Sequence, residues 1–296
     1  MYNMKNYITI DGGTTNTRIH LVQDEKVVQS IKFSIGASKE NERWEAIKNG
    51  ICKILKDNNL TEIDIVAVLA SGMITRNYPH ITAPAGANEL HSGLIKVDMS
   101  EITGIPFYFI RGVKTDCDMI RGEETEIVGI NDGKKRVYIL PGTHSKIIRT
   151  DEDGRIVDIK TMLTGEMAAV LSKFTILNES VDIATNEIDK EFLLKGFDYC
   201  KQNGINNALF KVRILDKLEN KTAAEIYSFF WGVILCEEIV AISKMNPETL
   251  TLAGKKEFVE PMSVLIENQT DCKIKVIDDT VPFSAIGAVK IFEVNK

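Results

Sequence analysis

The sequence predicts an α/β protein built from two lobes of related topology. Three observations carry this prediction. A chain of 296 residues has the length of about two ordinary domains. A strand pattern, a polar turn and a returning strand pattern open the chain, and the same succession begins again at Arg136. Strand patterns also alternate with amphipathic helical patterns, which is typical of α/β folds.

The N-terminal block is rich in short apolar runs joined by tight polar turns, which predicts an antiparallel meander. The runs are Tyr7–Ile10, Ile19–Val22 and Val27–Phe33. Apolar residues then recur at three- and four-residue steps between Trp44 and Leu55, as in an amphipathic helix. The nearly continuous apolar run Ile63–Ala70 predicts a strand of the buried, parallel type.

The second β-rich block repeats this order and suggests an internal duplication. Its predicted strands are Val137–Leu140, Ile147–Arg149 and Ile156–Leu163, with a polar turn over Pro141–Lys146. A long apolar-rich helix is predicted from Thr222 to Met245. The remaining elements are two short strands at Leu250–Gly254 and Ile274–Ile277 and a last helix at Ser284–Phe292.

Composition limits the classes of partner. With 36 Lys+Arg against 42 Asp+Glu, the net charge of −6 argues against nucleic acid, which requires a basic surface. Five scattered cysteines without a Cys-x-x-Cys pair argue against a disulfide framework and predict a cytoplasmic protein. The most apolar stretch, Phe229–Cys236, is far shorter than the ~20 residues that span a bilayer. The surrounding helix, Ile226–Ile242, has two interpretations, a buried core element or a homodimer interface.

The turn Asp11–Arg18 has the composition of a phosphate-binding loop. Glycines let the backbone approach an anion, while hydroxyl and free N–H groups donate to phosphate oxygens. An aspartate at the end of the first strand suits Mg²⁺, which keeps much of its water shell in proteins. The alternative interpretation is a plain hairpin turn.

The turn Pro141–Lys146 is the corresponding candidate in the second block. Gly142 and Thr143 offer close backbone approach and a hydroxyl group, and Lys146 would neutralise phosphate charge. The alternative is an ordinary hairpin in which Lys146 is a surface cation. His144 either donates to phosphate or is structural, whereas His20 alternates along a strand and is predicted to pack in the interior.

Several strings resemble the 2-keto-3-deoxygalactonate kinase family of the actin–hexokinase–Hsp70 superfamily. They are Met119–Thr125, Leu140–Lys146, Met162–Glu166, and Ala70–Ile74 followed by Pro84-Ala85. The resemblance runs in order from Ile8 to about Gly254. Two departures stand out: Gly12 occupies a position where one family pattern has tryptophan, and the second loop lacks the superfamily's Asp-x-Gly-Gly. The metal would therefore depend mainly on Asp11.

The resemblance implies two actin-like (ribonuclease H-like) lobes with ATP and substrate in the cleft between them. The expected lobes are 1–132, to which the C-terminal helix 282–296 returns, and 133–281. The implied enzyme is an ATP- and Mg²⁺-dependent kinase that phosphorylates the terminal hydroxyl of 2-keto-3-deoxy-D-galactonate in galactonate catabolism. Open alternatives are a kinase for another keto-deoxy sugar acid, an exopolyphosphatase-like hydrolase and a non-catalytic sugar-acid sensor.

The resemblance also implies which residues contact ATP and its metal. Asp11 would hold Mg²⁺. The implied phosphate and nucleotide contacts are Gly12, Gly13, Thr14, Thr15, Asn16, Gly142, Thr143, His144, Lys146, Ala253 and Gly254. The last two would form the turn on the adenosine side.

Phosphoryl transfer to an alcohol needs a carboxylate that takes the hydroxyl proton, a contribution of roughly 10²–10⁴-fold. The candidates are Asp118, Glu123 and Glu124. Asp118 is favoured over Glu123 because the family commonly has aspartate at that position. For the two glutamates, a helix N-terminus is the alternative, since acidic residues there complement the helix dipole.

The keto-acid carboxylate is expected to pair with an arginine in a bidentate contact. Arg121 is the first candidate and Arg76 the second, and for both a surface salt bridge is the alternative. Glu124, Thr164 and Glu166 are also predicted to contact substrate. For Thr164–Glu166 a helix N-cap with an acidic first turn is the alternative.

Overall fold

A computed structural model describes residues 5–182, 184–185, 187–277 and 280–294. Its strands are β1 (Asn6–Gly12), β2 (Thr17–Gln23), β3 (Lys26–Phe33), β4 (Ile65–Gly72), β5 (Ile81–Thr82), β6 (Ile95–Val97), β7 (Phe107–Phe109), β8 (Val113–Lys114), β9 (Met119–Ile120), β10 (Val137–Leu140), β11 (Ser145–Thr150), β12 (Ile156–Met162), β13 (Thr249–Ala253) and β14 (Lys273–Ile277). Its α-helices are α1 (Glu40–Asp57), α2 (Ala87–Ser92), α3 (Glu123–Ile130), α4 (Thr164–Phe174), α5 (Lys190–Asn203), α6 (Ile205–Lys217), α7 (Ala223–Met245), α8 (Lys256–Gln269) and α9 (Phe283–Glu293).

Contacts divide the chain into two compact units. The first unit comprises Met1–Lys135, Arg149–Ile159 and Thr280–Lys296. The second comprises Arg136–Ile148 and Lys160–Asp279. The lobe boundaries inferred from the sequence stay a prediction.

The main sheet of the first unit has the strand order β3-β2-β1-β4-β7-β6. β2 is antiparallel to both β1 and β3, so the predicted meander is confirmed. β4 is parallel to β1, as its apolar run predicts. The strand begins at Ile65 and not at Ile63, which lies in a short 3₁₀ turn with 94% of its surface exposed. Asp64 forms this turn by accepting hydrogen bonds from the Thr61 backbone N–H and hydroxyl.

Two helices close the two faces of this sheet. α1 buries its apolar side, including Ile47 and Ile51, against the strands. α9 packs on α3 and on β1. At the contact with α3, a Cβ atom on Gly287 would lie 1.8 Å from the carbonyl oxygen of Thr125. Because only glycine permits this approach, the small residues of the last helix serve helix packing.

The second sheet, most of whose residues belong to the second unit, has the order β12-β11-β10-β13-β14, and Arg149–Thr150 of β11 and Ile156–Ile159 of β12 group with the first unit. This order matches β3-β2-β1-β4-β7 of the first sheet, and β10, β13 and β14 are parallel neighbours. The two-lobed α/β fold class is thereby confirmed. β11 starts at Ser145, so the prediction that Ser145 and Lys146 belong to the turn is wrong.

Helix α7 is long and apolar enough to cross a membrane by length and composition, but 78% of its most apolar window is buried in the fold. It packs along α5 at a glycine contact, where a Cβ atom on Gly232 would lie 2.1 Å from the Leu193 carbonyl oxygen. The structure therefore supports the core interpretation of this helix. All five cysteines are free thiols, in line with the absence of a disulfide framework.

Candidate active site

In the first unit, the ends of β1 and β4 meet the start of α3. Gly12 pairs with Gly72 across the two parallel strands. A Cβ atom on Gly122, the residue before α3, would lie 3.3 Å from the Gly72 Cα atom. Gly72 has a φ of 80° and Gly122 a φ of 111°, a region that side chains strongly disfavour. The glycines thus bring the strand ends and the helix start into contact.

The Asp11 carboxylate lies at this junction near the charged side chains of Arg18 and Glu123. Its Oδ2 atom accepts a hydrogen bond of 3.0 Å from Arg18 Nη1, and its side chain keeps 24% of its surface exposed. Burial raises the pKa of Asp11, Arg18 opposes that rise, and the negative charge of Glu123 adds to it. A carboxylate beside a second carboxylate attracts a cation.

The first turn of α3 carries the two glutamates of the sequence motif. Glu123 accepts a hydrogen bond of 3.0 Å from the Arg121 backbone N–H, and Glu124 accepts one of 2.7 Å from the Gly122 N–H. The helix N-terminus that the sequence offered as an alternative is therefore confirmed. Glu124 is fully buried, and burial followed by the charge of Glu123 raises its pKa to about 8.

Glu126 is a further acidic residue at this place, and sequence analysis missed it. Burial and the charges of Glu123 and Asp11 raise its pKa to about 8. The signal was present in the sequence, because position 126 lies one helical turn beyond Glu123 on the same face. Near neutral pH, Glu124 and Glu126 are thus largely protonated, which limits the negative charge around Asp11.

The residues around Asp11 fit a hydrated Mg²⁺ ion. Within the described ranges, no cluster of three or more His, Cys, Asp or Glu side chains is arranged to bind a metal directly. Mg²⁺ is usually held by one or two carboxylates and otherwise keeps its waters. Asp11, with Glu123 close enough to raise its pKa, supplies that donor set.

Arg121 anchors the segment that follows β4. Its Nη1 atom donates to the Thr75 carbonyl at 2.6 Å and to the Thr75 hydroxyl at 2.8 Å. Its Nη2 atom donates to the Tyr78 carbonyl at 3.0 Å and lies 3.0 Å from Nε2 of His80. Burial lowers the pKa of Arg121. The guanidinium group is therefore part of a partly buried network of hydrogen bonds to backbone and side-chain groups, which differs from the surface salt bridge that the sequence offered as the alternative.

Arg76 forms the kind of surface pair that the sequence offered as an alternative. Its Nη2 atom lies 2.5 Å from a Glu40 carboxylate oxygen, and both side chains are about two-fifths exposed, at 39% and 44%. Its Nη1 atom donates to the Ala37 carbonyl at 3.0 Å. Exposed pairs of this type contribute only about 0–1 kcal/mol, so Arg76 can exchange its partner at low cost.

A buried arginine in α1 is another residue that sequence reasoning missed. Arg43 has 1% of its surface exposed, and its Nε and Nη1 atoms have no hydrogen-bond partner among the described residues. Burial lowers its pKa, Glu40 opposes this effect, and Arg76 adds to it. The position was recognisable, because Arg43 precedes Ile47 by four residues and so shares the apolar face of the helix.

Asp118 lies in the tight turn between β8 and β9. Its backbone N–H donates to the Thr115 hydroxyl at 3.0 Å, and its Oδ1 atom accepts from the Met119 N–H at 2.7 Å. The residue is half-buried. The turn therefore holds the carboxylate in a defined orientation.

In the second unit, the loop between β10 and β11 rests on the N-terminus of α4. The Gly165 N–H donates to the Gly142 carbonyl at 3.2 Å, and the Glu166 N–H donates to the Thr143 carbonyl at 2.9 Å. His144 Nε2 lies 2.6 Å from a carboxylate oxygen of Glu166. Apart from its chain neighbours, no atom of the described residues lies within 4 Å of a Cβ position on Gly142. The loop is thus held from one side and open on the other.

Two predicted contact residues of this unit have partners that the sequence did not reveal. Lys146 is buried in β11 with 6% exposure and donates to the His144 carbonyl at 2.7 Å, so its alternative as a surface cation is wrong. Thr164 is the first residue of α4 and Glu166 lies in its acidic first turn, so the predicted helix start is confirmed, with Leu163 instead of Thr164 at the cap position. The Thr164 hydroxyl donates to Glu238 at 2.7 Å.

The turn after β13 lies beside the same loop. A Cβ atom on Gly254 would be 2.9 Å from Pro141 Cγ. Between α4, α7 and the start of α8 lies a pocket of about 220 Å³. Its lining includes Gly165, Ala169, Tyr227, Trp231 and Phe258. The indole N–H of Trp231 has no hydrogen-bond partner among the described residues. The pocket combines aromatic walls with small residues, as in sites for flat apolar ligands.

Comparison with known proteins agrees with these features. A family model described as 2-keto-3-deoxy-galactonokinase matches residues 11–287. The chain is 24% identical over 248 residues to 2-dehydro-3-deoxygalactonokinase of Escherichia coli (strain K12), covering 80% of each chain. It is 25% identical over 248 residues to a protein provisionally given the same name in Rhizobium meliloti (strain 1021), covering 79% of each.

Solved structures show the same fold. A crystal structure from Sinorhizobium meliloti, provisionally assigned as a 2-dehydro-3-deoxygalactonokinase, superposes with a TM-score of 0.82 at 19% identity, covering 97% of this chain and 98% of that one. The activator of 2-hydroxyisocaproyl-CoA dehydratase from Clostridium difficile, with bound ADPNP, has a TM-score of 0.57 at 14% identity, covering 96% and 93%.

Proposed function

Because the chain belongs to the 2-keto-3-deoxy-galactonokinase family, we propose that it transfers the γ-phosphoryl group of ATP to the terminal hydroxyl of 2-keto-3-deoxy-D-galactonate. The product is the 6-phosphate of that sugar acid. The observation that carries the proposal is the extent of the family match, residues 11–287, which includes both candidate loops. The nucleotide bound to the Clostridium difficile activator, whose fold is similar, supports the use of ATP.

The two loops are proposed to bind the phosphates of ATP. In the first unit, the proposed contacts are Gly12 at the end of β1 and Gly13, Thr14, Thr15 and Asn16 after it, in a turn closed by the bond from the Gly13 N–H to the Asn16 carbonyl. In the second unit, Gly142 offers an unobstructed backbone, and Thr143 and His144 are exposed beside it. Lys146 contributes positive charge from beneath the loop, since its ammonium group is bound to the His144 carbonyl.

The adenine base is proposed to occupy the pocket between α4, α7 and α8. Ala253 and Gly254 lead from β13 to this pocket, and Gly254 also lies against Pro141 of the second loop. One end of a nucleotide in the pocket would therefore lie close to the loop that is proposed to hold its phosphates. Aromatic walls favour a flat heterocycle through stacking contacts.

The proton of the sugar hydroxyl is proposed to pass to Asp118, with Glu123 as the second candidate. Asp118 is oriented by its own turn, whereas Glu123 is bound to the Arg121 N–H. Mg²⁺ at Asp11 would neutralise charge on the phosphate oxygens. Because Glu124 and Glu126 keep their protons to about pH 8, they add little repulsion against those phosphates.

The carboxylate of the substrate is proposed to pair with Arg76 in preference to Arg121. Arg76 can release the exposed Glu40, whereas Arg121 would have to give up hydrogen bonds to Thr75 and Tyr78. Glu166 at the start of α4 remains a proposed substrate contact, whereas Thr164 and Glu124 are buried and the Thr164 hydroxyl donates to Glu238, so no direct substrate contact is proposed for these two residues. A cytoplasmic location is proposed from the free cysteines.

A coupled assay of ADP release with a panel of 2-keto-3-deoxy sugar acids tests the function. We expect rapid release with 2-keto-3-deoxy-D-galactonate, slower release with its C4 epimer, and none after chelation of Mg²⁺. Faster turnover of another acid would change the substrate assignment. Release without any acceptor would replace the kinase by a hydrolase, and no release with any acceptor would favour a nucleotide-gated sensor.

A further inference from the structure

Glu238 is a buried acid in the otherwise apolar middle of α7. Its side chain has 1% of its surface exposed, whereas the preceding residue, Glu237, is exposed. Burying a carboxylate costs several kcal/mol unless hydrogen bonds replace its water. A helix that only filled a core would have an apolar residue at position 238, so the contacts of this carboxylate explain its presence.

Each oxygen of Glu238 accepts a hydrogen bond from a different element. Oε1 accepts from the Ser145 hydroxyl at the start of β11, and Oε2 accepts from the Thr164 hydroxyl at 2.7 Å at the start of α4. Ser145 has 0% and Thr164 5% of its surface exposed. Both hydroxyl groups are thus buried away from water, and the Glu238 carboxylate accepts the hydrogen bonds that they would otherwise donate to water.

These two hydroxyls flank the second loop. Ser145 is the first strand residue after the loop, and Thr164 begins the helix whose next two N–H groups donate to the Gly142 and Thr143 carbonyls. Those bonds orient the Gly142–Thr143 peptide groups. Glu238 therefore fixes both supports on which the position of the loop depends.

We propose that Glu238 is a positioning residue for ATP, which holds the Gly142–Thr143 backbone in the orientation that receives the phosphates by fixing Ser145 and Thr164. It contacts neither nucleotide nor sugar acid. The proposal rests on the proposed kinase function, because the loop is assigned to phosphate only within that function.

The electrostatic setting agrees with an acceptor at this place. Burial raises the pKa of Glu238, while the hydrogen bonds from Ser145 and Thr164 and the charge of Lys146 lower it. Lys146 also donates a hydrogen bond to the His144 carbonyl. Its ammonium group therefore interacts with the loop through this bond and with the Glu238 carboxylate through its charge. An apolar replacement would leave both buried hydroxyls without the acceptor that Glu238 provides, which is unfavourable in the interior.

Steady-state kinetics of Glu238→Leu and Glu238→Gln, with Glu237→Gln as the matched exposed control, test the proposal. We expect Glu238→Leu to raise the KM for ATP about tenfold or more, since small misplacements of binding groups are costly, with the KM for the keto acid within about twofold. Glu238→Gln should retain most ATP affinity, because its amide oxygen accepts from one hydroxyl and its NH₂ donates to the other. The control should match the wild type.

A double-mutant cycle decides whether the effect passes through the hydroxyls. Ser145→Ala in the Glu238→Leu background should add little, since residues that act as one unit are not additive. A lower Tm with an unchanged KM for ATP, or an equal rise in both KM values, would overturn the proposal. If Glu238→Leu does not fold, Ser145→Ala and Thr164→Val decide: raised KM values for ATP support it, and unchanged values refute it.

Failure of the kinase function is recognised separately. In that case the wild type itself releases no ADP with any sugar acid. Titration calorimetry with ADPNP then measures nucleotide affinity without turnover. Weaker ADPNP binding by Glu238→Leu than by Glu237→Gln would still support positioning by Glu238, and equal binding would refute it.

Discussion

The two candidate phosphate loops follow the first strand in two sheets of the same strand order, but their surroundings differ in chemistry. Beside the first loop, Asp11 pairs with Arg18 and lies near Glu123. The second loop is held by backbone hydrogen bonds from α4 and by the pair His144–Glu166. The two loops thus occupy matching positions in the two sheets. The polar groups beside them differ: the first loop has carboxylates beside it, whereas the second is held mainly by backbone hydrogen-bond donors of α4.

The glycines of the two loops differ in the same way. A Cβ atom on Gly12 would lie 2.8 Å from the Cβ atom of Ile74, whereas one on Gly142 would meet no described residue within 4 Å other than its chain neighbours. Gly12 is therefore required by packing inside the fold. Gly142 is free of that requirement, so its lack of a side chain favours the approach of a ligand.

The largest expected effect is the loss of the proposed base in the first unit. Asp118→Asn should lower kcat by roughly 10²–10⁴-fold, because the sugar hydroxyl loses its proton acceptor, while ADPNP affinity stays unchanged. Measurement of kcat and of ADPNP binding checks this. Asp116→Asn, an exposed change in the same turn, is the control. Near-normal turnover of Asp118→Asn together with inactive Glu123→Gln would move the role to Glu123.

Removal of the Asp11 carboxylate is the next largest effect. Asp11→Asn should lower kcat by about 10²–10³-fold, as expected when charge stabilisation of the transition state is lost. The Mg²⁺ concentration that gives half-maximal activity should also rise, which a titration of activity against Mg²⁺ measures. Asp24→Asn, in the exposed turn after β2, is the control. An unchanged Mg²⁺ dependence would show that the metal does not depend on Asp11.

A pair of glycine substitutions tests the contrast between the loops directly. Gly142→Ala should leave Tm unchanged and raise the KM for ATP about tenfold, because the new methyl group meets only the ligand. Gly12→Ala should lower the free energy of unfolding by about 1–3 kcal/mol through overpacking against Ile74. Thermal unfolding and ATP kinetics of both variants are the measurements.

Ile74→Gly in the Gly12→Ala background serves as the control for this contrast, because it removes the Ile74 Cβ atom that the new methyl group would meet. The loss of stability in the double variant should be smaller than the sum of the losses in the two single variants. If Gly142→Ala destabilises the fold as much as Gly12→Ala does, the proposed difference between the loops is refuted.

The N-terminal meander and helices such as α1 and α7 were predictable because their signals are local. The apolar periods of β1, α1 and α7 each lie within one segment of sequence. The order of the strands in the sheets and the partners of the polar side chains were not predictable in the same way. Arg121 donates to Thr75, and Thr164 donates to Glu238, and each contact joins segments that only the fold brings together. The roles of the motif residues as ligand contacts therefore stay predictions.

The last prediction concerns the acidic residues of α3 beside the first loop, where we expect the smallest effect on turnover. The expected change is in the pH dependence of stability. The pKa of Glu124 is about 8 in the folded chain, against an ordinary value near ~4.3 in unfolded protein. Between these values the folded state holds more protons than the unfolded state, so the free energy of unfolding falls as pH rises. Glu124→Gln removes this titration and should flatten that fall.

At pH 5 the Glu124→Gln variant and the wild type should unfold at similar temperatures, because the wild-type carboxyl group is then neutral in the folded state. At pH 8 the variant should be more stable by at least ~1 kcal/mol, or roughly 2–4 °C in Tm. Thermal unfolding across pH 5–8 measures the difference, with the exposed Glu45→Gln as the control. Parallel curves for wild type and Glu124→Gln would mean that Glu124 is ionised in the fold. The carboxylates near the first loop would then repel phosphate more strongly, and the proposed role of that loop in ATP binding would require Mg²⁺ to offset two charges instead of one.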